Sequence, residues 1–227
     1  MDYVLVHGTT QSPAAWQRLA ESLRGRGHQV HPVDLPVDQP DLLAADYVRI
    51  AVGQVGAAVS EPVVVAHSGG GLLSAALGRA LHARHLVWLA ALVPDLAGGT
   101  SLLGELEAAG ERMFPDEWRT WSDPVAETPA ISAYFLFHGC DLATLRLALT
   151  TLREWRPRAL YGESQRIAGL PPSTYVLPRE DRTLRPEWMR TIARERLGVE
   201  PIEIDGDHCP HISRSELVAE ILDRAAS

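Results

Sequence analysis

Val63-Val64-Val65-Ala66-His67-Ser68-Gly69-Gly70-Gly71 is the stretch whose reading decides the fold of this 227-residue chain. Four apolar residues in succession, with no polar alternation, mark a strand covered on both faces, as in a parallel sheet. The glycines that follow open a helix reaching about Leu81. A serine on a sharp strand-to-helix turn has its hydroxyl lifted to the rim of a sheet, where a substrate can reach it. Such a turn crowds adjacent backbone and requires small neighbours. Gly70 meets that need, and Ala66 stands where the pattern usually has Gly. The competing reading is that Ser68 only caps the following helix. That reading leaves the rest of the pattern without a role.

Outward from this stretch the chain alternates strands and helices. Tyr3 to Val6 reads as a strand ending at His7-Gly8. Pro13 to Arg26 follows as a helix, with Ser12 as N-cap and Trp16, Leu19, Ala20 and Leu23 on one face. His28 to Val33 is extended, Leu42 to Val59 helical, and His85 to Val93 another apolar run. The alternation resumes with Ser173 to Leu177, a helix near Pro186 to Arg196, a strand from Glu200 to Ile204 and a last helix from about Ser215. This order predicts an α/β fold with a mostly parallel sheet of about six strands and right-handed crossovers. From about residue 96 to 160 no strong strand signal appears, and more than half of the aromatic residues lie there or at its edge. That segment is expected to be a helical lid inserted in a single domain spanning 1–227.

Bulk properties exclude several function classes. A formal net charge of −8 speaks against nucleic acid, since phosphate binding needs clustered Lys and Arg. No stretch approaches the roughly 20 apolar residues that span a bilayer. Met1-Asp2-Tyr3 runs straight into Val4-Leu5-Val6 without a basic region or cleavage site, so a cytoplasmic protein is expected. Two cysteines, Cys140 and Cys209, make no disulfide framework and are expected to be reduced.

A serine hydroxyl is a poor nucleophile at neutral pH and needs a base beside it. His208, in Gly206-Asp207-His208, lies just past the last strand. Asp181, in Glu180-Asp181-Arg182, lies just past the preceding one. Both therefore sit at the C-terminal edge of the sheet, where open parallel sheets bind ligands, and in the order serine, acid, histidine. Asp95 follows another strand and is the rival acid. Asp205 and Asp207 read as turn formers. His7-Gly8-Thr9-Thr10 ends the first strand, and the Thr9 and Gly69 N–H groups are the candidate oxyanion donors. Phe114, Trp118 and Phe135 are candidates to line an apolar substrate pocket. His67 faces either pocket or core, with packing the favoured role. His138, Cys140, His208, Cys209 and His211 match no common zinc spacing, so no metal and no cofactor are expected. Cys209 is expected in the pocket wall.

The order His-Gly, small-His-Ser-Gly-Gly, Glu-Asp-Arg-Thr and Gly-Asp-His resembles the α/β-hydrolase superfamily. Within it the chain is most similar to the compact branch of plant methyl esterases, hydroxynitrile lyases and bacterial pyrethroid-type esterases. The likeness extends from Val4 through the last helix and is loosest over the expected lid. It implies Ser68, Asp181 and His208 as catalytic triad, Thr9 and Gly69 as oxyanion donors, and a small, largely apolar ester as substrate. In the hydroxynitrile lyases a Thr follows the first-strand His and a Lys follows the catalytic His. Here Gly8 and Cys209 occupy those places, which favours ester hydrolysis. A lyase or cyclase using the same triad, and a hydrolase-like small-molecule binder, are the alternatives. The resemblance leaves the oligomeric state open.

Overall fold

The computed structural model describes residues 1–57, 59–121 and 124–226. Six strands form one sheet: β1 (Asp2–Val6), β2 (Gln29–Val33), β3 (Val63–His67), β4 (His85–Leu89), β5 (Ser173–Pro178) and β6 (Ile202–Ile204). Their order is β2-β1-β3-β4-β5-β6, and every pairing is parallel. β3, which carries the deciding stretch, lies inside the sheet between β1 and β4.

Successive strand residues point to opposite faces, so each uninterrupted apolar run feeds two cores. Val4, Val6, Val64, Ala66, Leu86 and Trp88 pack on one face, against Tyr47 and Ala51 of α2 (Ala44–Val55), Leu73 and Leu77 of α3 (Gly71–Ala80) and residues further along the chain. Tyr3, Leu5, Val63, Val65, Val87 and Leu89 pack on the other, against α1 (Gln17–Gly25) and the C-terminal helix Ser215–Ala226. Full burial of such side chains contributes about 1.5–3 kcal/mol each before conformational entropy is counted.

Three boundaries differ from the sequence reading, each for a tertiary reason. The expected helix from Pro13 splits into a 3-10 turn, Pro13–Trp16, and α1. Ser12 does not cap it; its hydroxyl donates instead to the Thr151 carbonyl at 3.0 Å. The expected helix from 42 to 59 ends at Val55, because Gly56 takes φ +80°. The apolar run from His85 leaves the sheet at Leu89, where Ala90 turns with φ +45°, and residues 90–93 stay buried beneath α3.

Between β4 and β5 the chain forms α4 (Leu102–Met113), α5 (Asp116–Thr120), α6 (Pro129–Phe135), α7 (Leu142–Thr150) and α8 (Arg158–Gly162). An antiparallel bridge, Leu152 to Gln11, ties the end of this segment to the loop after β1. After β5 come α9 (Pro186–Leu197), the short α10 (Pro210–Ser213) and α11 (Ser215–Ala226). No described helix is long and apolar enough to cross a membrane.

Candidate active site

β3 delivers Ser68 to the C-terminal edge of the sheet, and its backbone there takes φ +50°, a left-handed conformation unusual for a residue with a side chain. Surrounding backbone enforces it. A Cβ on Gly70 would lie 2.6 Å from the His7 carbonyl oxygen, and one on Gly71 2.0 Å from that of Leu92. Only glycine lets α3 start this close to its neighbours. Gly8 is equally constrained, since a Cβ there would lie 2.8 Å from Ser68 Cβ.

Ser68 Oγ donates to His208 Nε2 at 2.9 Å, and His208 Nδ1–H donates to Asp181 Oδ2 at 2.7 Å. These proton positions are those of a neutral imidazole: the Asp181 carboxylate can only accept, which puts the ring proton on Nδ1 and leaves Nε2 to accept from Ser68. The second oxygen of Asp181 accepts the Thr183 and Leu184 N–H groups at 2.7 and 2.8 Å. Both side chains of the His208–Asp181 pair are withdrawn from water, at 1% and 0% exposure. Asp95, the rival acid, bonds instead to the N–H groups of Gly98 and Thr100 at 2.7 and 3.2 Å. The Gly98 bond leads in holding its carboxyl below the usual range. Asp95 closes its own turn and makes no bond to His208.

Three further histidines surround the group. His67 Nε2–H donates to the His208 carbonyl oxygen at 2.8 Å, and its ring lies 4.8 Å from that of His208 and 4.4 Å from that of His211. His7 donates from Nδ1 to the Gly8 carbonyl at 2.9 Å and accepts the Leu35 N–H at 3.2 Å. Burial pushes His7 down to about 4 and His211 to about 3, and holds His67 well below the ordinary imidazole value. At neutral pH all three are uncharged, so none places a positive charge beside His208.

Thr9 and Gly69 lie side by side, with Thr9 N 3.7 Å from the position a Gly69 Cβ would take, and both line the same cavity as Ser68. The Thr9 loop is pinned from the helical segment: Trp155 N–H donates to Thr9 O at 2.7 Å and Arg153 N–H to Thr10 O at 3.1 Å. Over these residues lies a cavity of about 240 Å³, walled by Leu92, Leu102, Leu106, Phe114, Trp118, Tyr161, Thr183 and Leu184. Among the described residues its lining contains no charged side chain. Its volume lies below the roughly 300–1,000 Å³ of sites for drug-sized ligands, so it suits a small molecule.

Two of the three expected pocket aromatics, Phe114 and Trp118, line this cavity. Phe135 does not. It is 2% exposed and packs with Val125, Leu136, Phe137 and Ala148, touching Trp118 edge-on from behind at 5.1 Å. Cys209 is likewise no wall residue; its turn, closed by Cys209 N–H to Asp207 Oδ1 at 3.1 Å, leaves the side chain buried in that same cluster. Burial raises its thiol pKa well above the ordinary value. Cys140 and Cys209 are free thiols. Sequence reasoning missed Leu102 and Leu106, whose four-residue spacing places both on one face of α4, and Tyr161 beyond the expected segment. Among the described residues no group of three or more His, Cys, Asp or Glu side chains is arranged to hold a metal ion.

Comparison with known proteins agrees with this architecture. Methylesterase 8 of Arabidopsis thaliana is 24% identical over 241 residues, covering 97% of this chain and 87% of that protein. The crystal structure of polyneuridine aldehyde esterase superposes with a TM-score of 0.79 at 21% identity, over 100% of this chain and 99% of that one. A pyrethroid hydrolase from Sphingobium faniae JZ-2 gives 0.80 at 18% identity, over 100% and 97%. The pattern that defines the alpha/beta hydrolase family matches residues 3–221, nearly the whole of the sheet and every element of the site, and the chain belongs to that family.

Proposed function

We propose that the chain is a serine esterase that cleaves a small, largely apolar carboxylic ester through an acyl-enzyme. The observation that carries this reading is the unbroken hydrogen-bond chain Asp181–His208–Ser68, which ends at Ser68 in the wall of a cavity whose described lining carries no charge. His208 Nε2 takes the Ser68 proton as Oγ attacks the ester carbonyl carbon. Asp181 fixes the imidazole tautomer and stabilises the positive ring. The Thr9 and Gly69 N–H groups receive the oxyanion; one such donor is worth about 10²–10³ in rate. Collapse expels the alcohol, which takes the proton back from His208. A water molecule then gives a proton to His208 and its oxygen to the acyl carbon, releasing the acid and restoring Ser68. No step calls for a cofactor or a metal.

The single domain would carry the helical segment of about 96–160 as a lid, whose Leu102, Leu106, Phe114 and Trp118 cover the nucleophile. The ester-cleaving names borne by the relatives support hydrolysis over lyase chemistry. So does Gly8, because a threonine there would crowd Ser68. The test is intact-protein mass spectrometry after exposure to a fluorophosphonate, with Ser68→Ala alongside, followed by turnover of short aryl esters. One adduct on Ser68, absent from the variant, together with ester turnover, is expected. A folded wild type that takes no adduct, or a Ser68→Ala variant with full turnover, would overturn the reading.

A further inference from the structure

His138 and Gly139, neighbours in the turn between α6 and α7, each bond to the residue immediately before a member of the Ser68–His208–Asp181 group. His138 Nε2–H donates to the Glu180 carbonyl at 2.9 Å, and Gly139 N–H donates to Asp207 Oδ2 at 3.0 Å. The turn is closed by Cys140 N–H to Phe137 O at 3.0 Å and is rooted by Phe137, which is buried in one cluster with Cys209 and Ile212. On the other side of Asp181, Arg182 donates to the Tyr134 carbonyl at 3.3 Å and lies 4.7 Å over the Tyr134 ring.

Asp207 does more than form a turn. Its side chain is fully buried. Its Oδ1 accepts the Cys209 N–H at 3.1 Å and the Ser213 hydroxyl at 2.8 Å; its Oδ2 is turned to Gly139. A buried carboxylate is retained only where several donors meet it. Here two of those donors come from the helical segment over the cavity, the Gly139 N–H and, at 3.9 Å from Oδ2, the Cys140 thiol. We infer that the 137–140 turn is a clamp, and that Asp207 and His138 are positioning residues through which the lid sets the His208–Asp181 pair against Ser68. The inference rests on the triad reading above. Misplacing a reacting group by about 1 Å can cost 10²-fold in rate, so such a clamp couples lid docking to the chemistry.

Asp207→Asn separates the two functions of this side chain. The amide oxygen keeps the Cys209 and Ser213 bonds, while the amide nitrogen meets the Gly139 N–H, donor against donor. The readout is the rate constant for fluorophosphonate labelling of Ser68 in the whole folded protein, with melting temperature and the kcat and KM for an aryl ester measured beside it. Asp207→Asn is expected to label at least about tenfold more slowly and to lose kcat rather than raise KM. His138→Leu should slow labelling at least about threefold, and His138→Gln, which keeps a donor at the Nε2 position, should restore most of that loss. A folded Asp207→Asn that labels at the wild-type rate overturns the clamp, as does a His138→Gln no better than His138→Leu. If Asp207→Asn does not fold, the two His138 variants decide alone. Wild type that fails to label refutes the triad reading itself; wild type that labels, with all variants unaffected, refutes only the clamp.

Discussion

His67, the residue before Ser68, donates from Nε2 to the carbonyl oxygen of His208, the residue that serves as base in the proposed mechanism, at 2.8 Å. The bond joins the Ser68 turn directly to the loop that carries His208. A side chain on β3 thus fixes backbone that is 141 residues away in sequence. His67→Leu leaves the His208 carbonyl without this buried donor, at a cost of about 1–3 kcal/mol. The expected result is a fall in kcat of about tenfold or more, with KM little changed. His67→Gln, which presents an N–H near the same place, should recover much of it. Steady-state kinetics on a short aryl ester checks both; equal damage from Leu and Gln would remove the role from this bond.

The acid is decided by a pair of substitutions. Asp181→Asn removes the negative charge that faces His208 Nδ1 and favours the wrong tautomer, a change that costs on the order of 10⁴ in kcat where such a triad operates. Asp95→Asn disturbs only an exposed turn and should change kcat less than about threefold. The reverse order of damage would reassign the acid.

Gly71 predicts a stability effect. Its Cβ position lies 2.0 Å from the Leu92 carbonyl oxygen, which is backbone and yields poorly. Gly71→Ala must push α3 away from the 90–93 segment, at about 3 kcal/mol or more. For a domain of this size that lowers Tm by roughly 6–12 °C. A thermal melt is sufficient, and an unchanged Tm would mean that the close approach is not maintained in solution.

Stability should also fall on mild acidification. Burial lowers the folded-state pKa of His7 to about 4 and of His211 to about 3, and lowers that of His67. Unfolded histidines titrate near 6.5, so below that pH the unfolded chain binds more protons than the folded one. Full stability is therefore present above about pH 6.5 and is lost as pH falls toward the folded values. Between pH 6.5 and 5 His7 and His211 each remove about 1.5 kcal/mol. Among the described residues neither ring nitrogen of His211 has a hydrogen-bond partner, and its ring packs 4.4 Å from Trp16. His211→Phe should therefore keep or raise stability at pH 7 and flatten the slope between pH 7 and 5. Urea denaturation at the two pH values measures it, and an unchanged slope would argue against a buried neutral His211.

The sequence by itself determined the parallel sheet, the helices between its strands, the turn that holds Ser68, and the location of His208 and the 181 region at one sheet edge. Those features are written in short-range terms: unbroken apolar runs, helical spacing and small residues where backbone is crowded. Bonding His208 to Asp181 and not to Asp95, placing Tyr161 in the cavity and Phe135 behind it, and joining His138 and Gly139 to the Asp181 and His208 loops required the tertiary structure. Partners such as His208 and Ser68 are 140 residues apart. No local periodicity encodes which side chain meets which across such a separation, because that is settled by how helices and loops from distant parts of the chain pack on the same sheet edge.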